Sequence, residues 1–236
     1  MAKHGKRYDQ ALKKVTNPEE VMEPQAALQA VKDVASAKFD ETVEAAIRLG
    51  VDPRQSDQMV RGSVNLPHGT GKSPKIAVFA RGDNATAAEE AGADVVGAED
   101  LVQRIDEGWR DFDILVATRD MMGLVGRLGR KLGPRMPNPK AGTVTDNIGQ
   151  TVKDLKGGKA AYRVDKAANI HVPIGKVSYS IEMLEENLTT LVQALLRAKP
   201  SSSKGAYLKK ISVSSTMGPA FKIDTAIAQG RATAKV

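Results

Sequence analysis

The residues best suited to chemistry lie in two short stretches far apart in the chain. Ser215-Thr216-Met217-Gly218-Pro219 closes a run, Tyr207 to Thr216, that alternates as a strand does. Tyr207, Ile211 and Val213 point one way, and Lys210, Ser212, Ser214 and Thr216 point the other. An outer face of hydroxyls and a lysine, ending in Met-Gly-Pro, offers donors, backbone amides and one soft apolar side chain to a polar partner. Gly218 leaves room for a partner's backbone. The same pattern also suits a solvated strand face that ends in a turn. The second stretch, Lys38-Phe39-Asp40-Glu41-Thr42-Val43-Glu44, opens another alternating run. Val43, Ala45, Ile47 and Leu49 share one side, and Thr42, Glu44, Ala46 and Arg48 share the other. Phe39 has the parity of Val43, so core packing and exposure in a binding face both stand.

Enzymatic chemistry finds little support. Gly71-Lys72-Ser73 imitates the end of a phosphate-binding loop, but Leu66 stands where its first glycine belongs, and the segment precedes a strand instead of following one. Gly123, Gly126 and Gly129 recur at every third residue without forming the dinucleotide fingerprint, and are expected to line one helical face and permit close packing. No serine, histidine and acid group as a triad. The chain has no cysteine, which excludes disulfides, thiolate metal sites and cysteine nucleophiles. His4, His68 and His171 fit no metal-ligand spacing, so neither a metal nor a cofactor is expected. A nucleotide-dependent enzyme remains the alternative from another class, discriminated by whether ATP raises the melting temperature.

Composition favours a polyanionic partner, although many cytosolic proteins without one carry a similar balance. The 236 residues carry 35 Lys and Arg against 28 Asp and Glu, a net charge of +7. No apolar run approaches the roughly 20 residues that span a membrane. The basic start, Met1 to Arg7, lacks the apolar segment of a signal peptide, so a cytoplasmic protein without membrane partners is expected.

Two Gly/Pro-rich joints, residues 66–74 and 156–159, divide the chain. Between them strands and helices alternate: strand Ile76–Ala80, helix Ala85–Ala91, strand Val95-Val96, helix Glu99–Trp109, strand Ile114–Ala117, helix Asp120–Leu132. That is the signature of parallel βαβ units, hence a small doubly wound domain. The flanks differ. Asn17-Pro18-Glu19-Glu20 reads as a helix start, and a helix from about Pro24 to Ala37 presents Leu28, Val31 and Val34. Strands are expected around Ala161–Val164 and Ile170–Val172. A long helix follows with Ile181, Leu184, Leu188, Leu191 and Leu195 on one stripe, a core face or a partner seam. Pairing the opening and closing strands makes one discontinuous α+β domain.

Charge is uneven between these parts. Residues 68–159 hold 14 Lys and Arg against 13 Asp and Glu, whereas the flanks hold 21 against 15. The anion-binding surface is therefore expected on the flanks. One local exception is Arg119 to Lys140, with six bases (Arg119, Arg127, Arg130, Lys131, Arg135, Lys140) and Asp120 as its single acid. It is either a solvated surface or a second contact for the polyanionic partner.

Both stretches, with Leu49-Gly50-Val51-Asp52-Pro53-Arg54, Val60-Arg61-Gly62, Leu66-Pro67-His68-Gly69-Thr70-Gly71-Lys72, Met136-Pro137-Asn138-Pro139-Lys140-Ala141-Gly142-Thr143 and Tyr162-Arg163-Val164-Asp165-Lys166, closely resemble family number one of the universal ribosomal proteins. The resemblance covers essentially the whole chain, with Ser214 and Ser215 where threonines are expected. It implies an α/β architecture: a discontinuous split α+β RNA-binding domain (1–67 plus 160–236) with an inserted Rossmann-like domain of parallel strands (68–159). It further implies a non-enzymatic protein of the large subunit's mobile stalk. Its partners would be large-subunit (23S) rRNA, the deacylated tRNA released from the exit site, and the leader of its own messenger, whose translation it represses; free, it would be a monomer. Carried over residue by residue, the RNA face comprises Lys38, Phe39, Thr42, Glu44, Ser214, Thr216, Met217 and Gly218, with Asp165 and Lys166 at its edge. With aromatics at 4%, contacts to sugars, phosphates and the 2′-hydroxyl suit the composition better than base stacking. Glu44, as an acceptor, would bond a 2′-hydroxyl or a guanine edge, or orient Lys38 or Arg48.

Overall fold

The computed structural model describes residues 5–14, 20–139 and 142–234. The helix start expected at Asn17-Pro18 and the base Lys140 lie outside them. In chain order the helices and strands are α1 (Lys6–Lys13), β1 (Val21–Met22), α2 (Pro24–Val34), β2 (Thr42–Leu49), β3 (Arg61–Asn65), β4 (Ile76–Phe79), α3 (Asp83–Glu90), β5 (Val95–Gly97), α4 (Glu99–Asp106), β6 (Ile114–Ala117), α5 (Met122–Arg127), α6 (Gly129–Leu132), α7 (Ile148–Lys156), β7 (Lys159–Arg163), β8 (Asn169–Lys176), α8 (Ile181–Arg197), β9 (Leu208–Ser215), β10 (Ala220–Ile223) and α9 (Thr225–Ala234). They form two compact units, Met1–Gly71 with Gly158–Val236, and Lys72–Gly157. The mixed α/β class expected from the sequence is the one found.

The first unit is built on a five-stranded sheet in the order β1-β10-β9-β2-β8, antiparallel except where β1 meets β10. Val43, Ala45, Ile47 and Leu49 of β2 are buried with Ile211 and Val213 of β9 and Ile170, Val172 and Ile174 of β8. Period-two alternation puts them on one face. That face is covered by α2, α8 and α9. Proline opens α2, whose Ala27, Leu28, Val31 and Val34 are buried at helical spacing. Ser180 caps α8 by accepting from Met183 N–H, and Leu184, Leu188, Leu191 and Leu195 all enter the core. The stripe is a core face. At Lys209 the pairing slips, Arg48 facing Lys210 and Leu49 facing Leu208, so Leu208 turns inward beside Tyr207. A separate two-stranded ribbon pairs β3 with β7.

The second unit has three parallel strands, β5-β4-β6. Its apolar strands are buried on both faces, as parallel strands require. Phe79, Leu115 and Ala117 pack with Leu101, Ile105 and Val125 of α4 and α5 on one side. Ile76, Val78 and Val116 pack with Ala88, Ile148 and Val152 of α3 and α7 on the other. Two expectations need correction. The helix from Asp120 to Leu132 is two short helices, α5 and α6. Of the glycines there, Gly123 and Gly126 admit no close neighbour, since a Cβ on either would meet nothing within 4 Å, and a Cβ on Gly129 would make ordinary contact with Met136 Sδ at 3.5 Å.

Candidate nucleic-acid interface

Among the described residues no helix covers the second face of the five-stranded sheet. Cross-strand register sets out its rows: Glu44 lies between Ser214 and Pro173, Ala46 between Ser212 and His171, and Arg48 between Lys210 and Asn169. Ala220 and Lys222 continue the rows onto β10. The face is hydroxyl-rich and basic, and it sets Arg48 directly opposite Lys210. Like charges in that position repel, so the pair stands ready for an anion. His171 and Ser212 belong to this face and were missed in the sequence as site residues; their parity on β8 and β9 was the available signal.

At the Thr42 end of the face a buried acid organises the ends of two strands. Glu41 is 2% exposed. Its carboxylate accepts from the backbone N–H groups of Ser36 (3.1 Å), Ala37 (2.9 Å) and Met217 (3.0 Å). The Ser215 hydroxyl lies beside it, close enough to favour its charge although no bond of ordinary geometry joins them. Burial pushes the Glu41 pKa up, but the three N–H donors and that hydroxyl outweigh burial, so the group stays below the usual carboxylate value. Glu41 thus ties the segment before β2 to the turn after β9, residues 176 apart in sequence. It too was missed. An acid on the parity of Val43 and Ala45 was its signal.

Glu41 fixes what stands on either side of it. Phe39 is 56% exposed and Met217 52% exposed, which removes the core-packing reading of Phe39. Thr42 N–H donates to Thr216 Oγ1 (2.9 Å), and that hydroxyl donates to Thr42 O (3.3 Å). The Thr216 hydroxyl is therefore spent on strand pairing. Lys176 Nζ donates to Thr42 Oγ1 at 2.9 Å. At Gly218 an added Cβ would lie 2.5 Å from Ser215 Oγ, so that hydroxyl would have to turn away. Glu44 makes no ion pair with Lys38 or Arg48 among the described residues, so its carboxylate is open to an incoming donor.

The structure thus gathers Lys38, Phe39, Thr42, Thr216, Met217 and Gly218 at one end of the sheet, with Glu44 and Ser214 in the adjoining row. It does not bring Asp165 and Lys166 to them. These sit in the turn before β8, where Ala168 O accepts from Leu49 N–H, about 20 Å along β2 at some 3.3 Å per residue. The Asp165 carboxylate accepts from the N–H groups of Asn169 (2.7 Å) and Ala167 (2.8 Å), and these bonds hold its pKa below the usual value. Its work is local to the turn.

A second basic patch adjoins that turn. A cavity of about 730 Å³ is lined by Pro53, Arg54, Met59, Arg163, Asp165 and Lys166. On the exposed side of the β3–β7 ribbon Arg61 lies directly opposite Arg163. Arg54, Arg61, Arg163 and Lys166 have no acidic partner among the described residues. In the other unit the basic run is more engaged: Arg119 pairs with Asp146, Lys131 with Asp106, and Arg135 donates to the carbonyls of Arg110 and Phe112.

Comparison with known proteins shows the family of the chain. Residues 31–219 match the model of the Ribosomal protein L1p/L10e family. The chain is 55% identical over 229 residues to the large ribosomal subunit protein uL1 of Corynebacterium kroppenstedtii, covering 96% of each. The nucleotide-dependent enzyme is thereby set aside. On this evidence the chain belongs to the ribosomal protein L1p/L10e family, whose role is structural and not enzymatic.

Proposed function

We propose that the chain works in the large ribosomal subunit, as the name of its uL1 relative states for that protein, and holds large-subunit rRNA on the uncovered sheet face of its discontinuous domain. The observation that carries this reading is the pair Phe39 and Met217, exposed apolar side chains fixed about a buried carboxylate at the head of a basic, hydroxyl-rich face. Backbone phosphates meet Arg48, Lys210 and Lys222. Phe39 and Met217 pack on a base or sugar, and the open Glu44 carboxylate accepts from a 2′-hydroxyl or a guanine amino group. The messenger leader, as a mimic of the ribosomal site, uses the same face, so the two RNAs exclude each other.

Exit-site tRNA is assigned to the second patch. The Arg61–Arg163 pair and unpaired Arg54 and Lys166 favour it, because these cations lie at the opposite end of β2 from the rRNA cluster. Filter binding at fixed salt tests the first assignment. Met217→Asp places a charge beside phosphates and should weaken the rRNA-fragment complex far more than Lys209→Ala, which should mainly flatten the salt dependence. Equal small losses would refute a localised site. Titrating unlabelled rRNA fragment against labelled messenger leader tests the shared face, and a ternary complex would refute it.

A further inference from the structure

A crevice in the second unit has no part in the RNA face. β4 and β6 are neighbours, and the chain leaves them toward opposite faces of the sheet: β4 leads to α3, which packs beside α7, and β6 leads to α5, which packs beside α4. In open parallel sheets such a switch point opens a crevice outside the carboxyl ends of the strands, where ligands bind. Here a cavity of about 500 Å³, within the range of small-ligand sites, is lined in part by Arg81, Asn84, Thr118, Asp120 and Arg127.

Thr118 is the informative member. It is 4% exposed, lines the cavity, and its hydroxyl makes no hydrogen bond to any described residue. The residue is buried, but its hydroxyl oxygen faces the cavity and is spent on no bond among the described residues, so it is free to bond what enters there. Asn84, Asp120 and Arg127 likewise have side chains without a hydrogen-bond or ion-pair partner among the described residues, while Arg81 pairs with Glu99. The N-terminus of α3 opens at the same end of the sheet, with Gly82 as an N-cap that supplies no side-chain acceptor to the first-turn amides. Two guanidiniums are balanced by two carboxylates, which suits one phosphate better than a polyphosphate.

We propose that this crevice binds the ribose-phosphate part of a ribonucleotide, without turnover. The phosphate faces Arg127 and the start of α3. The sugar hydroxyls donate to Asp120 and to the Asn84 carbonyl, and Thr118 donates to a phosphate or hydroxyl oxygen. The sugar-phosphate comes from a free nucleotide or from a nucleotide within an RNA chain.

The test titrates the full-length chain with 5′-AMP, with inorganic phosphate and with a short single-stranded RNA. Binding is read from the amide shifts of Gly82, Thr118 and Gly123, away from the sheet face. Thr118→Val is nearly isosteric and removes a hydroxyl that bonds nothing in the protein, so its melting temperature should hold; Arg127→Met supplies an independent variant. Saturable binding that falls about tenfold in both variants is expected, the loss of one hydrogen bond or charge contact each. A response to 5′-AMP identifies free nucleotide as the source, and a response to RNA alone identifies a chain. No saturable response to either, a response to phosphate as strong as to 5′-AMP, or unchanged affinity in both variants would overturn the proposal.

Discussion

Replacing Glu41 with Gln isolates the buried carboxylate from its shape. The wild-type group serves three N–H donors: Ser36 and Ala37 on Oε1, Met217 on Oε2. A glutamine keeps one carbonyl oxygen, best placed for the two donors at Ser36 and Ala37, and turns its NH₂ toward Met217 N–H. One charge-assisted bond is then lost outright and two are weakened. At about 1.5–3 kcal/mol for a hydrogen bond to a charged group, the loss should be about 2 kcal/mol. That is roughly a thirtyfold change in the folding equilibrium and a fall in melting temperature of about 4–8 °C for a chain of this size. The pH dependence checks the cause. Because the folded pKa lies below the ordinary 4.5, the carboxylate's contribution is fully present above 4.5 and disappears as pH falls through the folded value. Thermal melts of the two proteins should therefore differ at pH 7 and converge as the pH falls through the lowered folded value, where the wild-type carboxyl is itself protonated. Filter binding should show weaker rRNA affinity in the variant, since Met217 and the segment carrying Phe39 lose their common tether. Equal stability at pH 7, or a deficit that persists unchanged at the acid end, would refute the clamp.

Arg61→Glu turns a repelling cross-strand pair into an attracting one, so it should stabilise the first unit by about 0.2–1 kcal/mol in urea melts while weakening tRNA binding. Asn187, 0% exposed, accepts from His68 N–H and donates to Gly69 O and Ile174 O. Asn187→Leu leaves these groups without partners and should cost about 3 kcal/mol or more by chemical denaturation. Gly158→Ala should destabilise by at least about 2 kcal/mol, because φ is +95° and the new Cβ would lie 2.2 Å from Gly69 Cα; a melting temperature like that of the wild type would contradict it. Tyr207 is the converse case: its buried hydroxyl has no partner among the described residues, and burial drives its pKa up to about 12. Tyr207→Phe should leave stability unchanged or raise it by up to about 1 kcal/mol in the same melts.

Period and charge in the sequence determined much of this protein. Alternation in residues 42–49 and 211–215 settles which side chains enter the core, because a pleated strand with one covered face must send apolar residues the same way, whereas Leu208 is buried only through the slip at Lys209. Short apolar runs between helical segments settle the parallel sheet of the second unit, since strands buried on both faces have no polar side. Tertiary structure decided what each polar group is free to do. The sequence presents Thr216 as a hydroxyl for a partner, Asp165 as an edge of the binding face and Glu41 as one more acid. Folding spends Thr216 on Thr42, 174 residues away, commits Asp165 to its own turn some 20 Å from the cluster at strand spacing, and buries Glu41 under three amides. Thr118 runs the other way, an unremarkable residue in the chain whose hydroxyl the fold leaves without a partner among the described residues. Hydrogen-bond supply at a site comes from segments that meet only in the folded state, so neither the spacing nor the type of a polar residue reveals whether its bonds are already taken.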